Sequence, residues 1–570
     1  MSASFQHPLP RRRFLQIGGL ATAGAALGRW PDLPLSIRPP LDLLLRGGTV
    51  VDGTGAAPFR ADIGVRHGRI VAVGLLPDAQ ATLALDVAGH AVAPGFIDIH
   101  GHTDLGILVD NRADSKVRQG VTTEVVGQDG SSILPVSDRM RAERRADFEE
   151  RYGVAIEFAG WDEWFGLIAE RGHLTNWVTL VGSGTVREAV LGADDREPTA
   201  EELARMIALV EAALEAGAAG VSSGLEYTPN AYATAREIAL LARPAADRDL
   251  PYATHMRNEA DRVEEALAEA LAVAGAAAAP LLVSHLKAQG PRNWHKAERL
   301  LAAIEGAHSD AAHAGRTVHF DRYPYTAYST GLASLFPAWA KDGGTEAFLA
   351  RLADPTEESR LRVAVDEKIA MMGSWDAIQI ASVAGDAPED AAGRRLGEYA
   401  AEKETDPYAL TVRLLGESSD RVSIVGHGMS EDNTKMFVSH PLGAICSDAS
   451  ARRSEGPLSE GTPHPRAYGA FPRVLGRYVR EERALSLAEA VRKMTGLPAE
   501  ILRLQDRGQV AVGKAADLVV FDPGTVADRA TYEAPHQYPA GIPHVVVNGA
   551  LAVRDGQPTG ALSGRVPRPG

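Results

Sequence analysis

The amino-acid sequence predicts an α/β fold, namely a (β/α)8 TIM-type barrel flanked by a small β-sandwich that both ends of the chain form. Three observations lead to this prediction. From Ala91 onwards, short apolar runs typical of buried strands alternate with helical runs rich in Ala, Leu and Glu. Short strands joined by tight turns precede this region, and strand-like runs return after it. The 570 residues, of which 45% are hydrophobic, suffice for a large core and more than one domain.

The predicted β-sandwich takes its strands from residues 41–93 and 496–565. In the first part the strand-like runs are Leu41–Arg46, Gly48–Asp52, Ala61–Arg66 and Arg69–Val73. In the second part they are Gly508–Ala511, Leu518–Phe521 and His544–Val547. The barrel is therefore expected between them, over residues 94–495.

Eight strand-like runs form the predicted barrel. They are Phe96–Ile99, Thr122–Val126, Trp177–Val181, Gly220–Ser222, Tyr252–Thr254, Pro280–Val283, Val318–Phe320 and Leu442–Ile445. Helices are predicted at Ala200–Ala216, with Thr199 and Glu202 spaced as a capping box, and at Glu259–Ala274. The segment before the last strand is too long for a plain connection, so a largely helical insertion at about 335–440 is expected to cover the barrel mouth.

The first 30 residues are typical of a targeting segment. Arg11, Arg12 and Arg13 precede a modest apolar stretch at residues 16–27, which predicts a twin-arginine export signal and a periplasmic or exported protein. A disordered basic tail is the alternative. Residues 31–40 contain four prolines and indicate a linker.

Composition excludes several other classes. The formal net charge of −15 disfavours a nucleic-acid partner, because phosphate backbones attract an excess of Lys and Arg. No long apolar run follows residue 30, so no membrane span is predicted. The single cysteine, Cys446, rules out an internal disulfide and a cysteine-rich structural zinc site.

Two histidines mark the end of the first predicted barrel strand. His100 and His102 are two residues apart, so on extended backbone both side chains face the same side and can meet one ion. The C-terminal ends of strands are where barrel enzymes place their sites. The alternative is a pair of surface loop histidines.

Three further candidate ligands follow later strands. His255 and His285 come directly after two apolar runs, and Asp448 follows the last. Histidine nitrogen and carboxylate oxygen are ligands that zinc favours, and a catalytic site keeps one position open for water. The sequence therefore predicts a zinc site at the barrel mouth.

These residues carry a resemblance to the amidohydrolase superfamily. Within it, nearly all of residues 41–565 resembles the N-acyl-D-amino-acid deacylase (D-aminoacylase) group. The matching stretches are GFIDIHGHTD (95–104), NWVTLVGSGTVREAVLG (176–192), SSGLEYTPNAYA (222–233), THMRNE (254–259), VSHLKAQG (283–290), DRYPYTAYST (321–330), HPRAYGAFPRVLGRYVRE (464–481), AVRKMTGLPAE (490–500) and GKAADLVVFD (513–522).

The resemblance implies a site for one or two zinc ions. His100, His102 and Asp448 are expected at one metal position, and His255 and His285 at the other. The resemblance also makes Asp448 the general base that takes a proton from water and returns it to the leaving nitrogen. The implied reaction is hydrolysis of a linear amide, an N-acyl-D-amino acid. A dipeptidase, a cyclic or aryl-amide hydrolase, and a catalytically silent periplasmic metal- or ligand-binding protein remain alternatives.

Two carboxylates separate this chain from the group's pattern. Asp129 stands in a turn where the group has a metal-binding cysteine, and a carboxylate is a harder ligand than a thiolate. Its alternative role is to cap the turn before Gly130. Glu226 follows the fourth strand, where some superfamily members bridge two metals with a carboxylated lysine, and it is expected to bridge or else to be a surface carboxylate.

Four residues are expected to bind the substrate. The resemblance places a lysine and a tyrosine at the substrate's α-carboxylate, which points to Lys287 and to Tyr323 or Tyr325. Arg466 is a planar donor suited to a second carboxylate or a polar acyl group, unless it is a surface arginine.

Overall fold

The computed structural model describes residues 40–156 and 158–570. The predicted export segment and residues 31–39 of the predicted linker lie outside the described residues. Among the residues that are described, no helix is both long and apolar enough to span a lipid bilayer.

The chain begins with five strands of a β domain. They are β1 (Leu41–Val50), β2 (Phe59–Arg66), β3 (Arg69–Gly74), β4 (Ala81–Asp86) and β5 (Ala91–Pro94). The two runs predicted within residues 41–52 form the single strand β1, whose pairing with β2 shifts register between Leu45 and Gly48. His67 and Gly68 join β2 to β3, and both have the positive φ that a tight type I′ hairpin turn requires.

Seven of the eight barrel strands follow the first part of the β domain along the chain. They are formed by β6 (Phe96–Asp98), β7 (Val121–Val126), β8 (Asn176–Thr179), β9 (Val181–Gly182), β10 (Val221–Gly224), β11 (Tyr252–His255), β12 (Leu281–Val283) and β13 (Val318–Arg322). β8 and β9 are two parts of one barrel strand, interrupted at Leu180. Every pairing between neighbouring barrel strands is parallel.

Helices connect these strands. They are α1 (Gly106–Val109), α2 (Asp138–Tyr152), α3 (Trp161–Arg171), α4 (Ser183–Leu191), α5 (Ala200–Ala216), α6 (Ala235–Ala246), α7 (Val263–Ala277) and α8 (Ala297–Ala312). α5 has the predicted bounds, and both hydrogen bonds of its capping box are present. α7 begins at Val263 rather than Glu259, because the Asn258 side chain accepts the backbone N–H groups of Ala260 and Arg262 and holds a turn there.

The insertion lies between β13 and the last barrel strand. It contains β14 (Ala327–Gly331), α9 (Gly344–Ala353), α10 (Glu358–Met372), β15 (Ile378–Ser382), α11 (Leu396–Glu402), α12 (Pro407–Glu417) and β16 (Ser423–His427). β16 pairs antiparallel with both β14 and β15. The segment predicted to be largely helical therefore also carries a three-stranded sheet.

The barrel closes where the candidate ligands lie. The closing elements are α13 (Glu431–Ser439), β17 (Gly443–Ile445), α14 (Arg466–Arg473), α15 (Leu487–Met494) and α16 (Gly496–Ile501). β17 pairs parallel with β13. Beyond its end, the Asp448 N–H donates to the His100 carbonyl at 2.8 Å and the His102 N–H donates to the Ala449 carbonyl at 3.0 Å. β17 is thus joined to β6, and the predicted (β/α)8 barrel is confirmed.

The C-terminal strands complete the β domain. They are β18 (Leu518–Phe521), β19 (His544–Val547), β20 (Ala550–Arg554) and β21 (Gln557–Pro558). β18 pairs antiparallel with β5, so both chain ends share one nine-stranded sheet with its own apolar core. The run Gly508–Ala511, predicted as a strand, is irregular, and Val510 makes one backbone hydrogen bond to Asp52.

Candidate metal centre

Four predicted ligands converge at the barrel mouth. His100 and His102 follow β6, Asp129 follows β7, and Asp448 follows β17. One potential ligand atom from each lies within 4.8 Å of the other three. All four side chains therefore sit at the C-terminal ends of barrel strands, the face that carries the active site in this fold.

A second group shares Asp129 with the first. It adds His255 at the end of β11 and His285 after β12, again with ligand atoms within 4.8 Å of one another. Asp129 Oδ1 lies 3.4 Å from His100 Nε2 and 3.3 Å from His285 Nε2. The carboxylate predicted in place of the group's cysteine thus stands between the two sets of histidines.

Three of these residues have unusual backbone conformations. Asp129, His285 and Asp448 have φ values of 53°, 36° and 51°, in a region that non-glycine residues rarely occupy. The turn that presents Asp129 also needs Gly127, where an added Cβ would lie 2.2 Å from the Leu180 carbonyl oxygen. Strained residues of this kind cluster at functional sites, where the surrounding fold holds them in place.

The polar atoms of the site fit a divalent cation. His100 is fully buried, yet neither of its ring nitrogens makes a hydrogen bond within the described part of the chain, and Asp129 Oδ1 makes none either. Such buried polar groups require an explanation, and an ion is one. Imidazole nitrogens with carboxylate oxygens form a donor set that zinc favours.

The charge balance leads to the same conclusion. A cavity lies over these ligands, and each lysine or arginine that borders it already pairs with a carboxylate: Lys287 with Glu259, Lys368 with Glu226, and Arg466 with Asp448. Within residues 40–156 and 158–570, in contrast, the ion-pair partners of the Asp129 carboxylate are all histidines. A buried carboxylate without a fixed positive partner favours the binding of a cation.

Glu226 lies to one side of these two groups. Its Oε2 is 3.3 Å from His255 Nε2, and its Oε1 accepts from Lys368 Nζ at 2.8 Å. Burial by itself raises the pKa of Glu226, but the charges of Lys368 and His255 more than offset this and hold the pKa well below its usual range. Glu226 could join a third group with His255 and Glu259. The carboxylate common to both histidine pairs is Asp129, not Glu226.

Two buried acids that the sequence analysis missed orient the histidines. Glu259 contacts His285 Nδ1 at 3.0 Å and accepts from Lys287 Nζ at 2.5 Å. Its burial raises its pKa, but Lys287 and His255 lower the pKa to about 2. Asp321 accepts the His285 backbone N–H at 2.7 Å and lies 3.5 Å from His100 Nδ1. Such partners set the orientation of metal-binding histidines.

The sequence positions of both acids were consistent with a place in the site, although the contacts that define their roles were not visible in the sequence. Asp321 comes from the seventh barrel strand, at the end where the other site residues lie. Glu259 is four residues after His255, but it also stands at the start of a predicted helix. An acidic residue there is explained by helix formation alone, so the sequence does not reveal its contact with His285. Lys368 lies on α10 in the insertion, and no local sequence pattern indicates that it belongs to the site.

The cavity over the two groups of ligands has a volume of about 380 Å³ and is the main cavity of the site, although it is not the largest cavity among the described residues. Of the four residues expected to bind the substrate, Lys287, Tyr323 and Arg466 border this cavity. Arg466 Nη1 donates to Asp448 Oδ2 at 2.6 Å. Burial alone raises the pKa of Asp448, but Arg466 and His285 together hold it far below its usual range, so this side chain is a carboxylate.

Tyr325 lies elsewhere. Its hydroxyl donates to Asp528 Oδ2 at 3.4 Å, and its ring packs against His464 and Tyr532 rather than bordering the main cavity. The resemblance left the choice between Tyr323 and Tyr325 open, and of the two only Tyr323 borders the main cavity. β13 ends at Arg322, so the alternation of a strand does not extend to Tyr325, and its side chain does not have to face the same way as that of Tyr323. Tyr323 keeps a buried hydroxyl without a hydrogen-bond partner among the described residues.

Comparison with known proteins places this chain in a family. A family model described as "Amidohydrolase family" matches residues 456–553. An N-acyl-D-glutamate deacylase of Alcaligenes xylosoxydans xylosoxydans is 37% identical over 519 residues, which cover 91% of this chain and 95% of that protein. This chain belongs to the N-acyl-D-amino-acid deacylase group of the amidohydrolases.

Other deacylases agree with that assignment. A D-aminoacylase of the same organism is 36% identical over 527 residues, covering 92% of this chain and 97% of the relative. The crystal structure of N-acyl-D-glutamate deacylase from Bordetella bronchiseptica, complexed with zinc and a phosphonate inhibitor, matches with a TM-score of 0.77 at 36% identity. That match covers 93% of this chain and 100% of the other. The predicted family is confirmed.

Proposed function

We propose that this deacylase-group protein uses zinc to hydrolyse the amide bond of an N-acyl-D-amino acid. The observation that carries the proposal is the convergence of six side chains from five strand ends, with Asp129 common to two groups of ligands. His100, His102, Asp129 and Asp448 would hold one ion, and Asp129, His255 and His285 a second. The names of the relatives support the choice of an N-acylated D-amino acid.

The residues around the ligands supply the remaining chemistry. When bound, zinc lowers the pKa of water and polarises a carbonyl group. The Asp448 carboxylate accepts the proton from the attacking water and then delivers it to the leaving nitrogen as the amide C–N bond breaks. Arg466, paired with Asp448 at 2.6 Å, keeps that side chain ionised and oriented.

Lys287 and Tyr323 orient the substrate. The Lys287 ammonium group is held by Glu259 at the base of the main cavity, where it can pair with the α-carboxylate of an N-acyl-amino acid. The Tyr323 hydroxyl, which has no partner among the described residues, can donate to the same group. Together they place the amide carbonyl over the ligands.

Steady-state hydrolysis of matched N-acetyl-D- and N-acetyl-L-amino acids tests the proposal. The zinc-loaded protein is expected to cleave the D-series, and Asp448→Asn is expected to lower kcat by about 10²- to 10⁴-fold, as loss of a general base does. Asp555→Asn is the matched control, since Asp555 has nearly the same φ, 52° against 51°, and is exposed in the β domain. An inert D-series, or unchanged activity of Asp448→Asn, would refute the proposal.

We also propose that the protein is exported by a twin-arginine signal. Arg12 and Arg13, followed by the modest apolar stretch, support this. Replacing both with lysine should retain the full chain in the cytoplasm during cell fractionation, while the unchanged chain reaches the periplasm. An identical distribution of the two proteins would refute export by this route.

A further inference from the structure

A second compartment opens beside Asp448. Its volume is about 190 Å³, and it shares His102, Ser329, Asp448 and Arg466 with the main cavity, so the two spaces meet at the proposed general base. Its remaining walls are largely polar and include Arg452. A substrate bound over the ligands can therefore extend one of its groups into this compartment.

Arg452 differs from the cations of the main cavity. Lys287, Lys368 and Arg466 each pair with a carboxylate, at distances of 2.5 to 2.8 Å. The Arg452 guanidinium makes no ion pair or hydrogen bond with any residue in 40–156 or 158–570. Burial lowers the pKa of Arg452, and the charge of Glu460, which also borders the compartment, partly offsets this effect. Glu460 is nevertheless exposed, and no ion pair within 4.0 Å joins the two side chains. A half-buried guanidinium without a partner is available to bind an anion.

The backbone that carries Arg452 is held rigidly against the end of β6. The Ser450 hydroxyl donates to the His102 carbonyl at 2.5 Å, and the Ala451 N–H donates to Thr103 Oγ1 at 3.0 Å. The Arg452 N–H donates to Ser115 Oγ at 2.8 Å, and the Arg452 carbonyl accepts from the Ser115 N–H at 3.1 Å. Since Asp448 is anchored to the same segment, Arg452 has a set position relative to the reacting bond.

The amine half of the substrate is the half that faces Arg452. In the proposed reaction Asp448 gives its proton to the leaving nitrogen, so the amine lies against Asp448. Asp448 also borders the second compartment, and a side chain on the amine half can enter it. Arg466 was expected to bind a second carboxylate or a polar acyl group, and its Nη1 donates to Asp448 Oδ2.

We propose that Arg452 binds a second carboxylate on the amine half of the substrate, so that N-acylated acidic amino acids are the preferred substrates. This inference rests on the proposed deacylase function. Arginine suits the role because its planar guanidinium can donate two parallel hydrogen bonds to one carboxylate. Arg452 is then a residue that determines specificity, separate from the groups that perform the hydrolysis.

The test compares the zinc-loaded protein with its Arg452→Met variant on matched substrates. N-acetyl-D-glutamate and N-acetyl-D-glutamine differ in charge on the amine half, whereas N-succinyl-D-alanine and N-butyryl-D-alanine differ in charge on the acyl half. For N-acetyl-D-glutamate we expect kcat/KM to fall about 10- to 100-fold, mainly through KM, as loss of a charge-assisted hydrogen bond does. The other three substrates should change less than about twofold. Arg453→Met, which removes a neighbouring arginine paired with Asp110, is the control.

Each other outcome overturns the inference. Equal losses on the glutamate and glutamine substrates would make Arg452 structural, and a loss confined to N-succinyl-D-alanine would move the second carboxylate to the acyl half. Hydrolysis of N-acetyl-D-glutamine without hydrolysis of N-acetyl-D-glutamate would overturn the inference while leaving the proposed function intact. If none of the substrates is hydrolysed, the proposed function fails, but calorimetric titration with N-acetyl-D-glutamate still tests the role of Arg452. Tighter binding by the unchanged protein than by Arg452→Met supports the inference. Equal binding by the two proteins overturns it.

Discussion

At the scale of single residues, Asp129 is the carboxylate that the two main groups of candidate ligands share. Burial alone would raise its pKa, but His100 and His285 lower the pKa well below its usual range, so the side chain is a carboxylate. The group pattern has a cysteine at this position, and a carboxylate is a harder ligand than a thiolate. Because Asp129 belongs to both groups of ligands, its loss affects both proposed ions.

Removing this carboxylate should therefore reduce metal binding. We expect Asp129→Ala to weaken zinc binding by at least about tenfold, the low end of the range for residues that support a metal site. Asp129→Cys should retain zinc, because thiolate is a good zinc ligand. The zinc-to-protein ratio after dialysis against a chelator, measured by mass spectrometry, checks both. Asp110→Ala, outside both groups, is the control, and an Asp129→Ala protein with undiminished zinc contradicts the account.

The strand-end histidines could be predicted because each directly follows an apolar run, and such a pattern is local. His100 and His102 are an example, since their spacing and the strand before them are visible in ten residues. The roles of Asp321 and Arg452 could not be predicted in the same way. Asp321 acts through contacts with His100 and His285, which follow β6 and β12. The Arg452 guanidinium has no hydrogen-bond or ion-pair partner among the described residues, which only the folded chain reveals.

At the scale of elements, the insertion contributes directly to the site. α10 carries Lys368 to within 2.8 Å of Glu226, and β14 carries Tyr328 to the wall of the main cavity. The helices of the insertion have local patterns, but β14, β15 and β16 are five-residue strands whose partners lie about 40 to 100 residues away in sequence. Strand formation in such short segments depends on tertiary context, which explains why the sheet was not predicted.

The ion pair between α10 and the barrel should restrain this helix. Lys368→Met removes the pair. Since both partners are mostly buried, we expect the free energy of local unfolding of α10 to fall by about 1 kcal/mol. Amide exchange over residues 358–372 should then speed up roughly fivefold, while exchange over α12 stays the same. Mass-spectrometric hydrogen exchange measures this. Glu367→Gln, an exposed change on the same helix, is the control, and unaltered exchange in Lys368→Met would show that the pair does not hold α10.

At the scale of the whole molecule, the β domain and the barrel depend on each other. Phe96, at the start of β6, stacks on Phe471 with ring centroids 5.6 Å apart and meets Phe521 of β18 at 6.4 Å. The strand patterns at both chain ends are local and could be predicted. The pairing of β5 with β18 joins residues more than 400 positions apart, so no local pattern predicts it, and the sequence indicated only that both chain ends share one β domain.

Truncating the aromatic ring at this contact should destabilise the protein. Phe521 is fully buried, and Phe521→Ala is expected to lower the free energy of unfolding by about 3–5 kcal/mol. Phe59 is 43% exposed in the same domain, so Phe59→Ala should cost less than about 1 kcal/mol. Urea unfolding of the zinc-loaded proteins compares them. Equal midpoints for the two variants would mean that the domain contact contributes little.

The central claim is that the strand-end residues bind zinc around Asp129. The most direct measurement is an anomalous difference map from a crystal of the zinc-loaded protein, with data collected on both sides of the zinc absorption edge. The account predicts one or two peaks within about 2.0–2.2 Å of ligand atoms from His100, His102, Asp448, His255 and His285, with Asp129 bound to each occupied position. Zinc peaks only at other places, or no peak beside Asp129 in crystals of catalytically active protein, would contradict the central claim.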